Sequence, residues 1–359
     1  MTSPTTTAQA PQVTHAQLRP MLIDAIEAQE PALIVGRPGI GKTELALDVA
    51  AQLDADLLLS HPVVEDPTTP AGLPFRATED RADFLPFGVL YKAIHAERLT
   101  VWMLDDLGQA PPQTQAAYMQ LLLSRACNGH RLSPHVRFIA CTNRRADRAA
   151  VQTILEPVKT RFLGGIYELI VSAAEWSQWA IHHDQPLELV AFARYRPNLL
   201  EEWTASADIV TSAQPRTIAA AGRAYKRLTA RGADDAQMFT RLAGIAGQAF
   251  ATEFCAFCRV WRDLPDLDAA LAHPNTAPIP PRDNIAARWA FATAIAARAT
   301  RTTAPAIVTL ADRLIQDDGA ELGVLMVQSS LHHSGGPKGD FAQTRAYITH
   351  CTTHQALYV

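Results

Sequence analysis

Pro31-Ala32-Leu33-Ile34-Val35-Gly36-Arg37-Pro38-Gly39-Ile40-Gly41-Lys42-Thr43 is the stretch of sequence that decides the fold. Its apolar first part, residues 31–35, predicts a buried strand, and its last eight residues match the pattern G-x-x-x-x-G-K-[ST] without a mismatch. A helical pattern follows directly over residues 44–53. A strand, a glycine-rich turn and a helix in this order form a loop that holds phosphate groups. We therefore expect the chain to bind a nucleoside triphosphate.

The residue types of this loop fit the chemistry of a triphosphate. Its glycines lack side chains, so the backbone N–H groups can approach phosphate oxygens closely. Lys42 can reach the β- and γ-phosphates, and the hydroxyl of Thr43 can bind Mg²⁺. We assign nucleotide binding to all eight residues of the loop, namely Gly36, Arg37, Pro38, Gly39, Ile40, Gly41, Lys42 and Thr43.

The composition predicts a soluble, globular chain of 359 residues, 48% of them hydrophobic and 19% charged. This length predicts two or three domains. The net charge of −4 gives no overall attraction for a polyanion such as DNA. No apolar stretch approaches the length of a membrane span, and residues 1–13 do not resemble a secretory leader. With five scattered cysteines, which suit reduced thiols, these features favour a cytoplasmic protein without a membrane partner.

Strand and helix patterns alternate through the first 170 residues. The predicted strands are 32–35, 56–59, 100–104, 136–141 and 166–171. This alternation predicts an α/β fold with a parallel, doubly wound sheet. Beyond it only helices are predicted, at 173–183, 187–193, 215–230, 235–262, 283–300, 304–316 and 341–354.

Polar side chains follow two of these strands. Asp105 and Asp106 come directly after the strand 100–104. Asp105 is placed to bind Mg²⁺ together with Thr43, and Asp106 is placed to orient the attacking water or accept its proton. Asn143, after the strand 136–141, can hydrogen-bond the γ-phosphate or that water, although it can also form a strand-ending Asx turn.

The phosphate loop, together with Leu104-Asp105-Asp106-Leu107-Gly108-Gln109-Ala110-Pro111-Pro112-Gln113-Thr114-Gln115, resembles the AAA+ ATPases of the MoxR type. This group includes the rubisco-activase-like CbbQ proteins. Phe138-Ile139-Ala140-Cys141-Thr142-Asn143 resembles the family's sensor 1 strand, and Gln214-Pro215-Arg216 resembles its sensor 2. Leu155-Glu156 with Arg161-Phe162 resembles its arginine-finger segment. The motifs follow the family's order and cover about residues 35–225.

The resemblance implies roles for two arginines. Arg161 would act as a finger that points into a neighbouring subunit's nucleotide, where such a group is worth about 10³–10⁵ in rate. Arg144 and Arg145, directly after Asn143, are rival candidates from the sequence. Arg216, in the first turn of the helix 215–230, would swing a cation over the γ-phosphate as a lid closes.

The sequence also departs from the family's pattern. Asp106 replaces the usual Glu, and the missing methylene moves the carboxylate by about 1 Å, which predicts slow or partner-stimulated hydrolysis. Gly108 and Gln109 replace an Asn-Arg pair. No sequence motif indicates the pocket that would bind the nucleotide base. The choice of ATP over GTP therefore depends on the resemblance alone.

We expect four segments. The composition predicts a disordered tail over residues 1–11, and the helical patterns predict a further α-helical domain over 234–359, where the resemblance has faded. Between them, the resemblance implies an AAA+ α/β domain over 12–170 and a helical lid over 171–233. The resemblance also implies Mg²⁺-dependent ATP hydrolysis by a homo-oligomeric ring, a hexamer, that remodels a protein client with a von Willebrand factor A domain protein as adaptor. The irregular, proline-punctuated stretch 61–87 resembles the helix-two insert that faces the ring axis, although a packed surface loop is the alternative.

Two other functions compete with this interpretation. One is a nucleic-acid motor or loader, which the net charge of −4 and the lack of a DNA-binding motif disfavour. The other is a scaffold that binds ATP and hardly turns it over, a possibility that Asp106 keeps open.

Overall fold

A computed structural model describes residues 10–147, 154–201, 210–317 and 319–358, without the side chains of Arg145 and Glu201. The tail predicted over residues 1–11 therefore lies almost entirely outside the described residues. The chain divides into two compact units, Met1–Val171 and Ser172–Val359. The second unit contains both the predicted lid and the predicted C-terminal domain. None of the described helices is long and apolar enough to cross a lipid bilayer.

The first unit contains every strand that the structure describes. These are β1 (Gln12–Val13), β2 (Ala32–Val35), β3 (Asp56–Ser60), β4 (Leu73–Arg76), β5 (Ala82–Leu85), β6 (Thr100–Leu104), β7 (Ala126–Cys127), β8 (His130–Arg131), β9 (Val136–Thr142) and β10 (Ile166–Leu169). Its helices are α1 (His15–Glu27), α2 (Lys42–Gln52), α3 (Thr68–Ala71), α4 (Gly88–Ile94), α5 (Pro112–Ser124) and α6 (Glu156–Lys159).

Six of these strands form one parallel sheet in the order β1-β10-β2-β9-β6-β3. Neighbouring residues of a strand face opposite sides, so Leu33 and Trp102 enter the core on one face while Ile34 and Met103 enter the core on the other. Helices α1 and α2 cover the second of these faces, and α5 covers the first. The parallel, doubly wound α/β fold predicted from the sequence is confirmed.

The segment 61–87 contains more regular structure than the sequence predicted. The short helix α3 leads into a hairpin of β4 and β5, in which Leu73 pairs with Leu85. Each of these two leucines is about half exposed, at 45% and 54%. Of the prolines that predicted an irregular loop, Pro74 lies in β4, where it is tolerated because a two-stranded hairpin has only edge strands. A second small hairpin, β7 with β8, was not predicted either.

The described part of the second unit contains helices and no strand. They are α7 (Ala173–His182), α8 (Leu187–Tyr195), α9 (Asn198–Glu201), α10 (Pro215–Ala230), α11 (Asp235–Ala246), α12 (Gln248–Arg262), α13 (Leu267–Ala272), α14 (Ile285–Ala296), α15 (Ala304–Gln316), α16 (Ala320–His333) and α17 (Arg345–Thr353).

Helices α9, α13 and α16 of this unit were not predicted, and one predicted helix is broken in two; glycines are involved in the break and in the packing of α16. The single helix predicted over 235–262 is broken between α11 and α12, because Gly247 has a φ of 92° and a ψ of 158° that only glycine adopts easily. Helix α16 was not predicted, and it contains Gly323. A Cβ at Gly323 would lie 2.7 Å from the carbonyl oxygen of Ala311, so this glycine permits close packing of α16 against α15.

The break at Gly247 gives the first testable prediction. Replacing Gly247 with Ala places a Cβ 2.9 Å from the carbonyl oxygen of Thr211 in a strained conformation, so we expect the free energy of unfolding to fall by about 1–3 kcal/mol. Gly244 is the matched control, since a Cβ there would meet no atom within 4 Å. Gly244→Ala should leave stability unchanged or raise it by about 1 kcal/mol. Urea unfolding followed by circular dichroism compares the two, and equal effects would contradict the assignment.

Candidate nucleotide-binding site

The predicted site residues come together because three parallel strands end at one edge of the sheet. Strand β9 lies between β2, which leads into the phosphate loop, and β6, which leads into Asp105 and Asp106. The backbone N–H of Gly36 donates to the carbonyl of Thr142 at 3.1 Å, which ties the start of the loop to the end of β9. Asn143 therefore lies between the phosphate loop and the two carboxylates.

The phosphate loop has the backbone that its glycines predict. Gly39 and Gly41 have φ values of 74° and 94°, in the left-handed region that favours glycine. A Cβ at Gly36 would lie 2.6 Å from Cδ1 of Ile40 and 3.1 Å from the carbonyl oxygen of Leu169, so a side chain there would force Ile40 to move. Lys42 is the first residue of α2, and the N–H groups of this first turn lack partners within the helix and are available to an anion.

The Lys42 ammonium is buried, with 7% of the residue exposed. Its Nζ donates to the carbonyl oxygens of Gly36 (2.9 Å) and Arg37 (2.8 Å) and to Oδ1 of Asn143 (2.7 Å). Burial lowers the pKa of Lys42 below its ordinary value, although the nearby Asp105 and Asp106 oppose this shift. Phosphate oxygens would supply the negative charge that this buried cation needs.

The residues predicted to hold Mg²⁺ are neighbours. Oγ1 of Thr43 donates to Oδ2 of Asp105 at 3.1 Å. This hydrogen bond joins the end of the phosphate loop to the residue that follows β6. A hydroxyl and a carboxylate are the hard oxygen donors that Mg²⁺ prefers, and one or two protein ligands with phosphate oxygens are its usual shell. The two side chains therefore fit a magnesium ion that the nucleotide brings with it.

Asp106 has a φ of 57° and a ψ of 33°, a left-handed conformation that is uncommon outside glycine. Its Oδ1 accepts from Nδ2 of Asn143 (3.3 Å) and from Nε2 of Gln109 (2.7 Å). Strained conformations of this kind are concentrated at functional sites. Asn143 thus contacts both Lys42 and Asp106, which the sequence could not show.

Three residues that the sequence analysis did not assign to the site lie beside it in the structure, namely Gly108, Gln109 and His15. Gln109 joins Asp106 to Thr142, whose Oγ1 donates to Oε1 of Gln109 at 3.3 Å. A Cβ at Gly108 would lie 2.2 Å from Oγ1 of Thr142, so only glycine fits there without a shift. Nε2 of His15, in α1, lies 3.1 Å from where a Cβ at Gly41 would be. The sequence carried a signal for Gly108 and Gln109, because both depart from the pattern of MoxR-type ATPases. Nothing in the sequence indicated His15.

The rival finger Arg144 is engaged within its own chain. Its guanidinium bonds both carboxylate oxygens of Asp147, at 2.6 to 3.2 Å, and Oε1 of Glu168 at 2.9 Å. Hydrogen bonds with Asp147 are the main cause that raises the pKa of Arg144 above its ordinary value. An arginine held by two carboxylates is poorly suited to reach a neighbouring subunit. The side chain of the other rival, Arg145, lies outside the described part of the chain.

Arg161 lies at the opposite edge of the sheet from the phosphate loop. The N–H of Gly164 donates to the carbonyl of Pro31 at 2.9 Å, directly before β2 begins. The phosphate loop follows the other end of that strand, roughly 16 Å away at about 3.3 Å per residue. Nη1 of Arg161 donates to Thr160 (3.1 Å), and its buried Nε has no hydrogen-bond partner. The geometry therefore separates Arg161 from the phosphate loop of its own chain.

Arg216 belongs to the second unit and is exposed in the first turn of α10. Gln214 begins this helix with a capping box, in which its backbone N–H donates to Oγ1 of Thr217 at 2.9 Å. The capped helix start, with Pro215 in its first turn, agrees with the predicted helix 215–230.

No protein-family model matches the chain, and no curated protein matches it. Among solved structures, it is similar to a proposed ATPase from Cytophaga hutchinsonii, with 16% identity and a TM-score of 0.33 over 44% of this chain and 46% of that one. It is similar to a RuvB variant from Thermotoga maritima (15%, TM-score 0.40, 72% and 82%). It is also similar to NtrX from Brucella abortus in complex with ADP (14%, TM-score 0.42, 96% and 68%).

The first of these matches spans less than half the length of either protein, and all three TM-scores are below 0.5. These similarities therefore establish neither an activity nor a partner for this chain. The parallel sheet itself establishes the α/β fold.

Proposed function

We propose that this protein is a Mg²⁺-dependent ATPase of the AAA+ class. The observation that carries the proposal is Asn143, which hydrogen-bonds the Lys42 ammonium and the Asp106 carboxylate at the end of a strand between them. Beside this bridge lies the oxygen pair of Thr43 and Asp105. These are the groups that bind phosphate, hold a metal and orient a water in phosphoryl transfer.

Each group has a separate task in hydrolysis. Lys42 exchanges its two carbonyl partners for β- and γ-phosphate oxygens, and the first turn of α2 adds backbone N–H groups. Asn143 holds the carboxylate of Asp106 in position near the γ-phosphate. Asp106 then orients the attacking water and accepts its proton. Mg²⁺ bound to Thr43 and Asp105 would neutralise charge that develops on the β- and γ-oxygens.

The carboxylate of Asp106 also provides an observation that favours slow turnover. Gln109 and Asn143 both donate to the same oxygen of Asp106, so that oxygen is engaged before any water arrives. A scaffold that binds ATP and seldom hydrolyses it is therefore the second candidate function. Steady-state turnover separates the two functions, since a scaffold would bind ATP tightly with almost no phosphate release.

We further propose a homo-oligomeric ring, with six subunits by resemblance to MoxR-type ATPases. Its support is the position of Arg161, at the sheet edge remote from its own phosphate loop. An arginine placed there would act on the nucleotide of a neighbouring subunit. Arg216 on α10 is the proposed cation of the lid.

The proposed task of the ring is to remodel a protein client in the cytoplasm, with a von Willebrand factor A domain protein as adaptor. The hairpin of β4 and β5 is the proposed contact with the client. It carries the exposed apolar side chains Leu73, Phe75 and Leu85. The carbonyl of Glu65 accepts from Thr114, and its carboxylate accepts from Tyr118, so the segment leading to this hairpin is anchored on α5. A DNA motor stays disfavoured by the net charge of −4.

The first prediction for this function concerns nucleotide binding. Lys42→Met keeps the length of the side chain but removes its charge, so we expect affinity for ATP to fall by about 10- to 100-fold or more. Titration with a fluorescent ATP analogue measures this, and circular dichroism checks the fold. Lys92→Met, at an exposed lysine of α4, is the matched control and should bind as the parent does. Equal binding by both variants would remove the basis of the proposal.

A second prediction separates the two carboxylates. Asp106→Asn should bind ATP normally but lower kcat by about 10²-fold or more, because the amide cannot accept the proton. Asp105→Asn should instead raise the Mg²⁺ concentration needed for half-maximal rate. Asp106→Glu should hydrolyse at least as fast as the parent. Phosphate release measured across a series of Mg²⁺ concentrations tests all three variants. Repeating the measurement with DNA tests for a nucleic-acid motor, which DNA would stimulate. Normal turnover by Asp106→Asn would show that another group orients the water.

A third prediction concerns the subunit boundary. If Arg161 acts in trans, the rate per subunit should rise with protein concentration, and Arg161→Ala should lower it without weakening ATP binding much. Arg131→Ala, at an exposed arginine of β8 in the same unit, should leave the rate unchanged. Mixing Arg161→Ala with Lys42→Met subunits should restore activity that neither has alone. A rate independent of concentration, with no rescue on mixing, would show that Arg161 has an ordinary surface role.

A further inference from the structure

Two imidazoles and a carboxylate converge in the second unit, and none of the three belongs to the residues assigned to the nucleotide. Asp312 lies on α15, His350 lies on α17, and His354 is the C-cap residue directly after α17. Oδ1 of Asp312 is 2.6 Å from Nδ1 of His350 and 3.0 Å from Nε2 of His354. The three ligand atoms lie within 4.8 Å of one another, and within the described ranges this is the one group of three or more His, Cys, Asp or Glu with that spacing.

The sequence and the packing explain this convergence. His350 and the C-cap residue His354 are four residues apart, so His354 lies one helical turn beyond His350 on the same side of α17. Their ring centroids are 4.7 Å apart. Thr344 caps the start of α17, since its Oγ1 accepts from the N–H of Tyr347. The two histidines face α15, which presents Asp312.

The outer side of His350 is also occupied. Its Nε2 lies 2.8 Å from the hydroxyl of Tyr358, so Nδ1 is left facing Asp312. Histidines that bind metals usually make a hydrogen bond through the other ring nitrogen, which fixes the ring and its tautomer. Tyr358 supplies that bond here.

We propose that Asp312, His350 and His354 form a binding site for a divalent transition metal ion, with Zn²⁺ as the expected ion. Imidazole nitrogens and a carboxylate oxygen are zinc ligands, and three protein ligands with a water in the fourth position is a common zinc arrangement. Hard cations such as Mg²⁺ and Ca²⁺ prefer shells of oxygen, so they are not expected here.

The two distances to Asp312 need only a small change to accept the ion, and the two imidazole nitrogens lie within 4.8 Å of each other. Zinc bonds of about 2.0–2.1 Å in a tetrahedral site place neighbouring ligand atoms roughly 3.3 Å apart. The present separations of 2.6 and 3.0 Å are those of hydrogen bonds, so each must open by less than about 1 Å. Both imidazoles contact the same carboxylate oxygen of Asp312, Oδ1.

Burial and exposure divide the site into a fixed side and an open side. The His350 side chain is fully buried, whereas those of His354 and Asp312 are 20% and 36% exposed. A metal can therefore enter past Asp312 while His350 stays in place. Burial is the main cause that lowers the pKa of His350, which favours the neutral imidazole that a metal requires.

Binding at this site would couple the metal to the stability of the C-terminal helices. The ion would join α17 to α15, and a group that binds only the folded chain stabilises it by mass action. At a metal concentration 100 times the dissociation constant, we expect the unfolding temperature to rise by about 5–10 °C.

The test uses the full chain, stripped with a chelator, and titrated with Zn²⁺ alone or with Co²⁺ as a spectroscopic probe. We expect about one equivalent of Zn²⁺ by elemental analysis, the rise in unfolding temperature, and the visible absorption bands of four-coordinate Co²⁺. His354→Gln keeps a donor to Asp312 but removes a ligand, so it should lower the affinity by at least about 10²-fold. His273→Gln, at an exposed histidine of the same unit, is the matched control and should bind as the parent does.

Asp312→Asn provides an independent variant that keeps a hydrogen-bond acceptor of the same shape. It should fold with the parent's circular dichroism spectrum but lose the Co²⁺ bands and the Zn²⁺-dependent stabilisation. If the parent shows neither signal, or if His354→Gln and Asp312→Asn retain both, the three side chains form a hydrogen-bonded cluster and the proposed metal site is wrong.

Discussion

The buried ammonium of Lys42 is the interaction on which the nucleotide site depends. A cation removed from water costs several kcal/mol unless partners surround it. Here the carbonyls of Gly36 and Arg37 and the amide oxygen of Asn143 supply those partners. Because Asn143 follows β9, the cation holds the phosphate loop against the end of that strand. The amide nitrogen of Asn143 extends the same network to Asp106, after β6.

The residues that depart from the pattern of MoxR-type ATPases fall within this network. Gly108 lies against Thr142 where a Cβ would clash, and Gln109 uses the resulting position to bond both Thr142 and Asp106. The left-handed backbone of Asp106 directs its shorter side chain toward Asn143. Gly108 and Gln109 thus help to position the carboxylate that we propose to orient the water.

The second unit is organised by different constraints. Its core is apolar and helical, and close approach at Gly323 sets α16 against α15. The polar side chains buried in this unit therefore need partners from neighbouring helices. His350 finds them in Asp312 and Tyr358, and this arrangement carries the proposed metal chemistry.

The sequence alone determined the strand, loop and helix at residues 31–53, the parallel sheet and the groups that meet at its edge. These follow from local pattern, since a phosphate loop and strand-ending acids are encoded by neighbouring residues. Only the tertiary structure decided that Lys42 is buried, that Asn143 reaches Asp106, and that His350 and His354 meet Asp312. Each of these contacts joins residues far apart in the chain or depends on packing between elements, and no local pattern specifies which helix faces which.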